Sequence, residues 1–191
     1  MSEKRLTGRI ARENIKLMQM PRPPQGVIEG FRALGDATGI VSDVMDELGI
    51  PCGVVGAHIL RPTIPGSRIV GPALTVRNVL QRIDPLDGAR RKVNRMAEFE
   101  AHNLATPGDV LVIDGVSGVS NMGGISAQTG KRQGEVGAIV WGGVRDVGHS
   151  RSIIRSGPPS CPPSPANGDC RRSRSTDRCR SAACASSRAI S

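Results

Sequence analysis

The sequence predicts an α/β domain, and three observations predict it. Two short apolar runs, Val110–Ile113 and Val136–Trp141, are rich in Val and Ile and bounded by glycine and charge, as short strands are. The Pro-free stretch between them, Gly123–Gln133, reads as a turn followed by a short helix. Together they make a β-turn-helix-β unit that leaves Arg145 and Asp146 adjacent at the carboxyl end of the second strand. Open α/β sheets bind their ligands at that end.

The remaining elements follow in chain order. Residues 1–26 are polar and end in the breaker cluster Pro21-Arg22-Pro23-Pro24, which predicts an exposed arm with a helical turn or two. Residues 27–49 read as helical; Asp36 or Thr38 can cap a helix running through Met45 and Leu48, and Gly49 stops it. Pro51 to Pro65 reads as loop with a short strand near His58–Leu60. Ile69–Val79 alternates and is β-branched, so it reads as a strand. Asp84 to Leu104 carries a long helical pattern, with Val93, Met96, Phe99 and Leu104 on its apolar side. Thr106-Pro107-Gly108-Asp109 is a turn that launches the first strand of the central unit.

After Arg155 the character changes. Residues 156–191 hold nine Ser, six Arg, five Pro and four Cys, and Ile190 is their one large aliphatic residue. Such a segment buries too little apolar area to offset its ordering entropy. It is also the composition that GC-rich DNA encodes out of frame. The chain therefore divides into an amino-terminal arm (1–29), an α/β domain (30–155) and a tail (156–191) expected to be disordered or out of frame.

Composition narrows the function. The net charge is +9 over 191 residues, but six Arg and two Asp of the tail account for +4 of it. The body is mildly basic and the chain has two Phe, one Trp and no Tyr, so it offers no aromatic platform for single strands and no specific nucleic-acid partner is expected. No run of 18 apolar residues exists, so no membrane span is expected. The amino terminus lacks the apolar region of a secretory signal, and the expected compartment is the cytoplasm. Cys52 is alone in the body, the tail cysteines form no CxxC pair, and no zinc site is expected.

The candidate site is Gly123-Gly124-Ile125-Ser126 together with Arg145-Asp146. A guanidinium grips a carboxylate through two parallel hydrogen bonds. A neighbouring Asp offers a hard oxygen to Mg²⁺ or Mn²⁺. Paired glycines at a helix start let a ligand approach backbone N–H groups, and the helix amino terminus favours an anion. Taken singly, Arg145-Asp146 is also what a surface ion pair beyond a strand looks like, and Gly123-Gly124 what a plain glycine turn looks like. Asp109 reads as a turn cap, Asp114 as a possible support to the site, and His149 as a loop histidine. A carboxylate clamp, an anion-binding helix start and a metal carboxylate suit a 2-oxo acid. The chemistry they support is metal-assisted retro-aldol cleavage or decarboxylation, in which the metal stabilises the enolate left by the broken C–C bond.

These residues carry a resemblance. DATGIVSDVMDELG (36–49), PGSRIVGPALTVRNV (65–79), GDVLVIDG (108–115), GGIS (123–126) and GAIVWGGVRD (137–146) resemble the family of the regulator of ribonuclease E activity A, over roughly residues 30–155. That family includes class II 4-hydroxy-4-methyl-2-oxoglutarate aldolases and was once mislabelled demethylmenaquinone methyltransferase. The resemblance implies a swivelling-type β/β/α fold, here incomplete at its carboxyl end, and a homotrimer. It implies that the 123–126 backbone (Gly123, Gly124, Ile125, Ser126) and Arg145 bind the substrate and that Arg145 and Asp146 are catalytic, with Asp146 on the metal. The expected activity is a divalent-metal-dependent lyase giving pyruvate from a 2-oxo acid, of the aldolase or oxaloacetate decarboxylase type. The alternative is a non-catalytic regulator that binds a ribonuclease. Active aldolases of the family carry an acidic residue where this chain has Gly124, and a carboxyl-terminal section that the tail does not resemble. Both departures predict weak metal binding and little turnover.

Overall fold

The structure is a computed structural model that describes residues 4, 6–51, 55–81, 83–92, 95–149, 153–156 and 185–190. Its amino-terminal arm, expected to be exposed, is anchored to the domain. Ile10 and Ile15 are buried in the main apolar core, on either side of a 3-10 turn at Arg12–Asn14. Further along, Arg22 pairs with the buried Asp109 carboxylate through both guanidinium nitrogens. That hydrogen bond raises the Arg22 pKa. Two isolated isoleucines follow neither a strand nor a helix period, which is why the arm looked free in the sequence.

The helical span at 27–49 divides into α1 (Val27–Ala33) and α2 (Ala37–Glu47). Asp36 caps the second, its carboxylate accepting from the Gly39 N–H at 3.5 Å, and Gly49 ends the segment in the left-handed region. Two strands follow, β1 (Leu60–Pro62) and β2 (Ala73–Leu80).

The long helix expected from Asp84 to Leu104 is a correction: it breaks into α3 (Pro85–Arg90) and α4 (Glu98–Leu104). Asp84 caps α3 through the Leu86 and Asp87 N–H groups, and Lys92 leaves it with φ 52°. The inward face of α4 is also more polar than expected. Leu104 is buried, but so are Glu98, Glu100 and His102, while Phe99 is half-buried. Val93 lies outside the described residues.

The two longer strands and the helix of the central unit are as the sequence predicts, and two short strands are added to them. The unit comprises β3 (Val110–Asp114), β4 (Ser120–Met122), α5 (Gly124–Gln133), β5 (Gly137–Trp141) and β6 (Gly143–Val144). After these come β7 (Ile153–Ser156) and β8 (Ala185–Ile190). The main sheet has the order β1-β7-β5-β3-β2-β8. Its middle four strands are parallel, and β1 and β8 pair antiparallel at the edges. The sequence reading places no strand after Arg155. An edge strand needs only backbone N–H and C=O groups, which Ala185–Ile190 supplies against β2. Residues 157–184 and 191 lie outside the described residues.

Parallel strands are covered on both faces, and these read as near-continuous apolar runs for that reason. On one face Leu74, Val76, Leu111, Ile113, Ala138 and Val140 are buried with Ala97, Ala101 and Leu104 of the α4 region. The opposite face presents Val110, Val112 and Ile139 to a groove of about 810 Å³ bordered by α1 and α2. No residue of α1 or α2 is buried, and Phe31, Ile40 and Val44 stay more than 40% exposed. Among the described residues, no helix is long and apolar enough to cross a membrane.

Candidate functional site

A second, two-stranded sheet builds the site. β4 and β6 pair in parallel beyond the carboxyl ends of β3 and β5. Neither is long enough to show a sequence period, and sequence reasoning missed both. Their pairing sets Gly123, which follows β4, beside Arg145, which follows β6. The Arg145 N–H donates to the Met122 carbonyl at 3.1 Å, and the Gly143 N–H to that of Val119 at 3.2 Å. Residues twenty-two apart in sequence, Gly124 and Asp146, thereby meet.

Two backbone features aim the side chains. Gly142, between β5 and β6, has φ 112°, and a Cβ there would sit 2.4 Å from the Asn121 amide nitrogen, so only glycine serves. Asp146 also has positive φ, 59°, a region that Asp tolerates better than most residues. The left-handed turn brings its carboxylate back over the start of α5, where Oδ2 accepts from the Gly124 N–H at 3.1 Å. Arg145 Nε lies 3.7 Å from the same oxygen. Both side chains are about half exposed, at 59% and 51%.

The paired glycines leave space for these two side chains. A Cβ on Gly123 would fall 2.9 Å from Arg145 Nε, and one on Gly124 would fall 3.3 Å from Asp146 Cβ. The Arg145 side chain thus lies across bare backbone. Of the first-turn amides of α5, Gly124 is taken by Asp146. The Ile125 and Ser126 N–H groups have no intrahelical acceptor. The Ile125 side chain is 73% exposed. The Ser126 hydroxyl turns away from this surface and bonds His102 in the core. The structure therefore brings together Gly123, Gly124, Arg145 and Asp146, and keeps only the backbone of Ser126 beside them.

The other acidic candidates lie elsewhere. Asp114 is exposed and pairs with Arg77 at 2.9 Å. Buried Asp109 caps its own turn by accepting from the Thr106 N–H at 2.8 Å. His149 ends a 3-10 turn at Val147–His149.

Sequence reasoning also missed Asn121. It is 2% exposed and holds the loop leading into β4. Its carbonyl oxygen accepts from the Val116 N–H at 2.8 Å and the Asn78 amide at 3.2 Å, and its own amide donates to the Val116 and Val119 carbonyls. A lone Asn between Ser120 and Met122 carries no periodic signal, so nothing in the sequence distinguished it.

Comparison with solved structures places the fold. The chain is similar to Streptomyces coelicolor RraAS2, an unusual member of the RNase ES inhibitor RraA protein family, at 25% identity and TM-score 0.54, covering 72% of this chain and 65% of that one. It is also similar in fold to an uncharacterized protein from Pseudomonas syringae pv. tomato str. DC3000, at 24% identity and TM-score 0.51, covering 73% and 59%. A third similar fold is a structure described under novel cellulases from microbes associated with the gut ecosystem, at 19% identity and TM-score 0.54, covering 77% and 62%. The chain thus spans less than two thirds of the length of these three structures. No curated protein matches it. Residues 38–154, most of the chain, match the pattern that defines one family, RraA-like, Aldolase/RraA. The chain belongs to the RraA-like family, which includes both aldolases or decarboxylases and ribonuclease E inhibitors.

Proposed function

We propose that Gly123, Gly124, Arg145 and Asp146 form the ligand cradle of a divalent-metal-dependent lyase that cleaves a C–C bond of a 2-oxo acid to give pyruvate. The single observation that carries this reading is the meeting of the α5 amino terminus with Arg145 and Asp146. A positive fork, oriented N–H groups and a carboxylate converge on one half-exposed surface. In this reading Arg145 clamps the substrate carboxylate through its two parallel donors. The Ile125 and Ser126 amides and the positive end of α5 stabilise negative charge beside it. Gly123 keeps the approach to the guanidinium open.

The donor set speaks to the metal. Among the described residues, no three His, Cys, Asp or Glu side chains gather in a way that could hold an ion. Asp146 is the one carboxylate of the cradle, and Gly124 adds none. That set suits Mg²⁺ or Mn²⁺, ions that keep several waters and bind through one or two carboxylates plus substrate oxygens. Asp146 would hold such an ion. When bound, it supplies Lewis-acid stabilisation of the charge that builds on the 2-oxo group as the bond breaks. One carboxylate predicts weak binding and slow turnover.

The test is manganese-dependent pyruvate release from oxaloacetate and 4-hydroxy-4-methyl-2-oxoglutarate by the full chain. A low but metal-dependent rate is expected. Arg145→Lys keeps the charge and loses the fork, and should lower kcat/KM about tenfold or more, for roughly 1.5–3 kcal/mol of charged hydrogen bonding. An unchanged kcat/KM removes Arg145 as the clamp.

A second reading is favoured by one comparison. The RraAS2 structure, at 25% identity, belongs to an inhibitor family. Under that reading the chain binds a ribonuclease and slows it without chemistry of its own. Inhibition of an RNase E-type enzyme that persists in Arg145→Lys and Asp146→Ala, with no pyruvate release from either substrate, would select it.

A further inference from the structure

Three buried side chains beneath the cradle have no part in the roles above. His102 of α4 is 0% exposed. Its Nδ1 lies 2.7 Å from Glu135 Oε1 and its Nε2 lies 2.8 Å from Ser126 Oγ. Ser126 sits in the first turn of α5, and Glu135 lies just beyond the last. One imidazole on a neighbouring helix therefore grips α5 at both ends. Gly130, midway along α5, leaves room for it: a Cβ there would meet Glu135 Oε2 at 2.4 Å and His102 Cε1 at 3.0 Å.

With a neutral ring, the Glu135 carboxylate accepts from the Nδ1–H and Nε2 accepts from the Ser126 hydroxyl, so all three groups are partnered. Hydroxyl, imidazole and carboxylate in this order also describe a nucleophile, its base and an orienting acid. Burial decides against that role. Ser126 is 2% exposed and His102 not at all, so no substrate reaches the hydroxyl.

A positioning role remains. The first turn of α5 begins at Gly124 and has no side-chain cap at Gly123. A glycine within a helix costs up to about 1 kcal/mol in propensity relative to alanine. The Ser126–His102 bond ties that soft turn to the core. We propose that Ser126, His102 and Glu135 are positioning residues that hold the Gly124 N–H on Asp146 and so set the direction of the Asp146 carboxylate in the cradle. The inference rests on the cradle reading for its functional meaning, and its test reads the geometry directly.

The experiment is amide hydrogen exchange by NMR on the full chain. In Ser126→Ala, the Gly124 and Ile125 amides should exchange about tenfold faster, the factor given by losing one ordinary hydrogen bond. Amides of β3 and β5 should keep their protection, and Ser126→Thr, which retains the hydroxyl, should restore Gly124. Should Ser126→Ala fail to fold, Glu135→Gln carries the test. Its amide oxygen still accepts from Nδ1–H, but without the charge, and Gly124 exchange should rise several-fold. Unchanged Gly124 protection in the folded variant, or an equal loss across β3 and β5, overturns the proposal. A Mn²⁺-dependent oxalate titration runs alongside. Exchange differences without any oxalate binding by the wild type would uphold the positioning role and sink the cradle reading.

Discussion

Replacing Glu98 by Gln is expected to stabilise the protein by on the order of 3 kcal/mol at pH 8 and by almost nothing at pH 4. Glu98 is 1% exposed on α4, and its Oε1 has no hydrogen-bond partner. Burial pushes its carboxyl up from 4.5 to about 7, against the opposing pull of its own backbone N–H and of the Arg9 charge. Below 4.5 the folded and unfolded chains both hold the proton. Between 4.5 and about 7 the unfolded chain releases it and the folded chain does not, so stability falls as pH rises through that window. Above about 7 the penalty is complete. Gln carries no charge and removes the dependence. Urea unfolding of both proteins at pH 4, 6 and 8 measures it. Curves that stay parallel across this range would show that Glu98 ionises in the fold without cost.

Leu111→Ala should cost about 2–5 kcal/mol, the range for a leucine truncated in a close-packed core. Leu111 is 0% exposed in β3, in register with Leu74 of β2 and Ala138 of β5. A neighbouring strand on each side and α4 above leave the cavity little means of collapse. Against a typical domain stability of about 5–15 kcal/mol, that loss is a large fraction. Leu48→Ala is the contrast: Leu48 is 67% exposed at the end of α2, and its truncation should stay within about 0.5 kcal/mol. Shifts in the urea midpoint compare the two. Equal shifts would mean that the β3 face is not the core on which the fold rests.

The legible part of this fold is local. β3, α5 and β5 show in the sequence because each is a short run with its own period and its own glycine boundary. The family resemblance over 30–155 coincides closely with the 38–154 match for the same reason. The parts that were hidden depend on distant partners. The inward carboxylates and imidazole of α4 look like a solvated face until their partners are known. Glu100 accepts from the Thr7 N–H at 3.0 Å, and His102 bonds Ser126 and Glu135. Ile10 and Ile15 are core residues only because the arm folds back. β4 and β6 are too short to alternate, so the sequence placed Gly123 and Arg145 in one unit without giving the pairing that joins them. The Ser126 hydroxyl follows the same rule: the sequence reading used only the backbone of the 123–126 tetrapeptide, and the hydroxyl is turned inward by a histidine on another helix.

The central claim is that Gly123, Gly124, Arg145 and Asp146 form one carboxylate-binding, metal-assisted site. Isothermal titration of the full chain with oxalate in the presence of Mn²⁺ tests it most directly, since oxalate presents the planar paired oxygens of a 2-oxo acid enolate. The wild type should bind weakly and only when Mn²⁺ is present. Arg145→Lys should weaken oxalate about tenfold or more while leaving the metal dependence in place. Asp146→Ala should remove the metal dependence altogether. Oxalate binding of equal strength in all three proteins, or binding by the wild type that ignores Mn²⁺, would contradict the account.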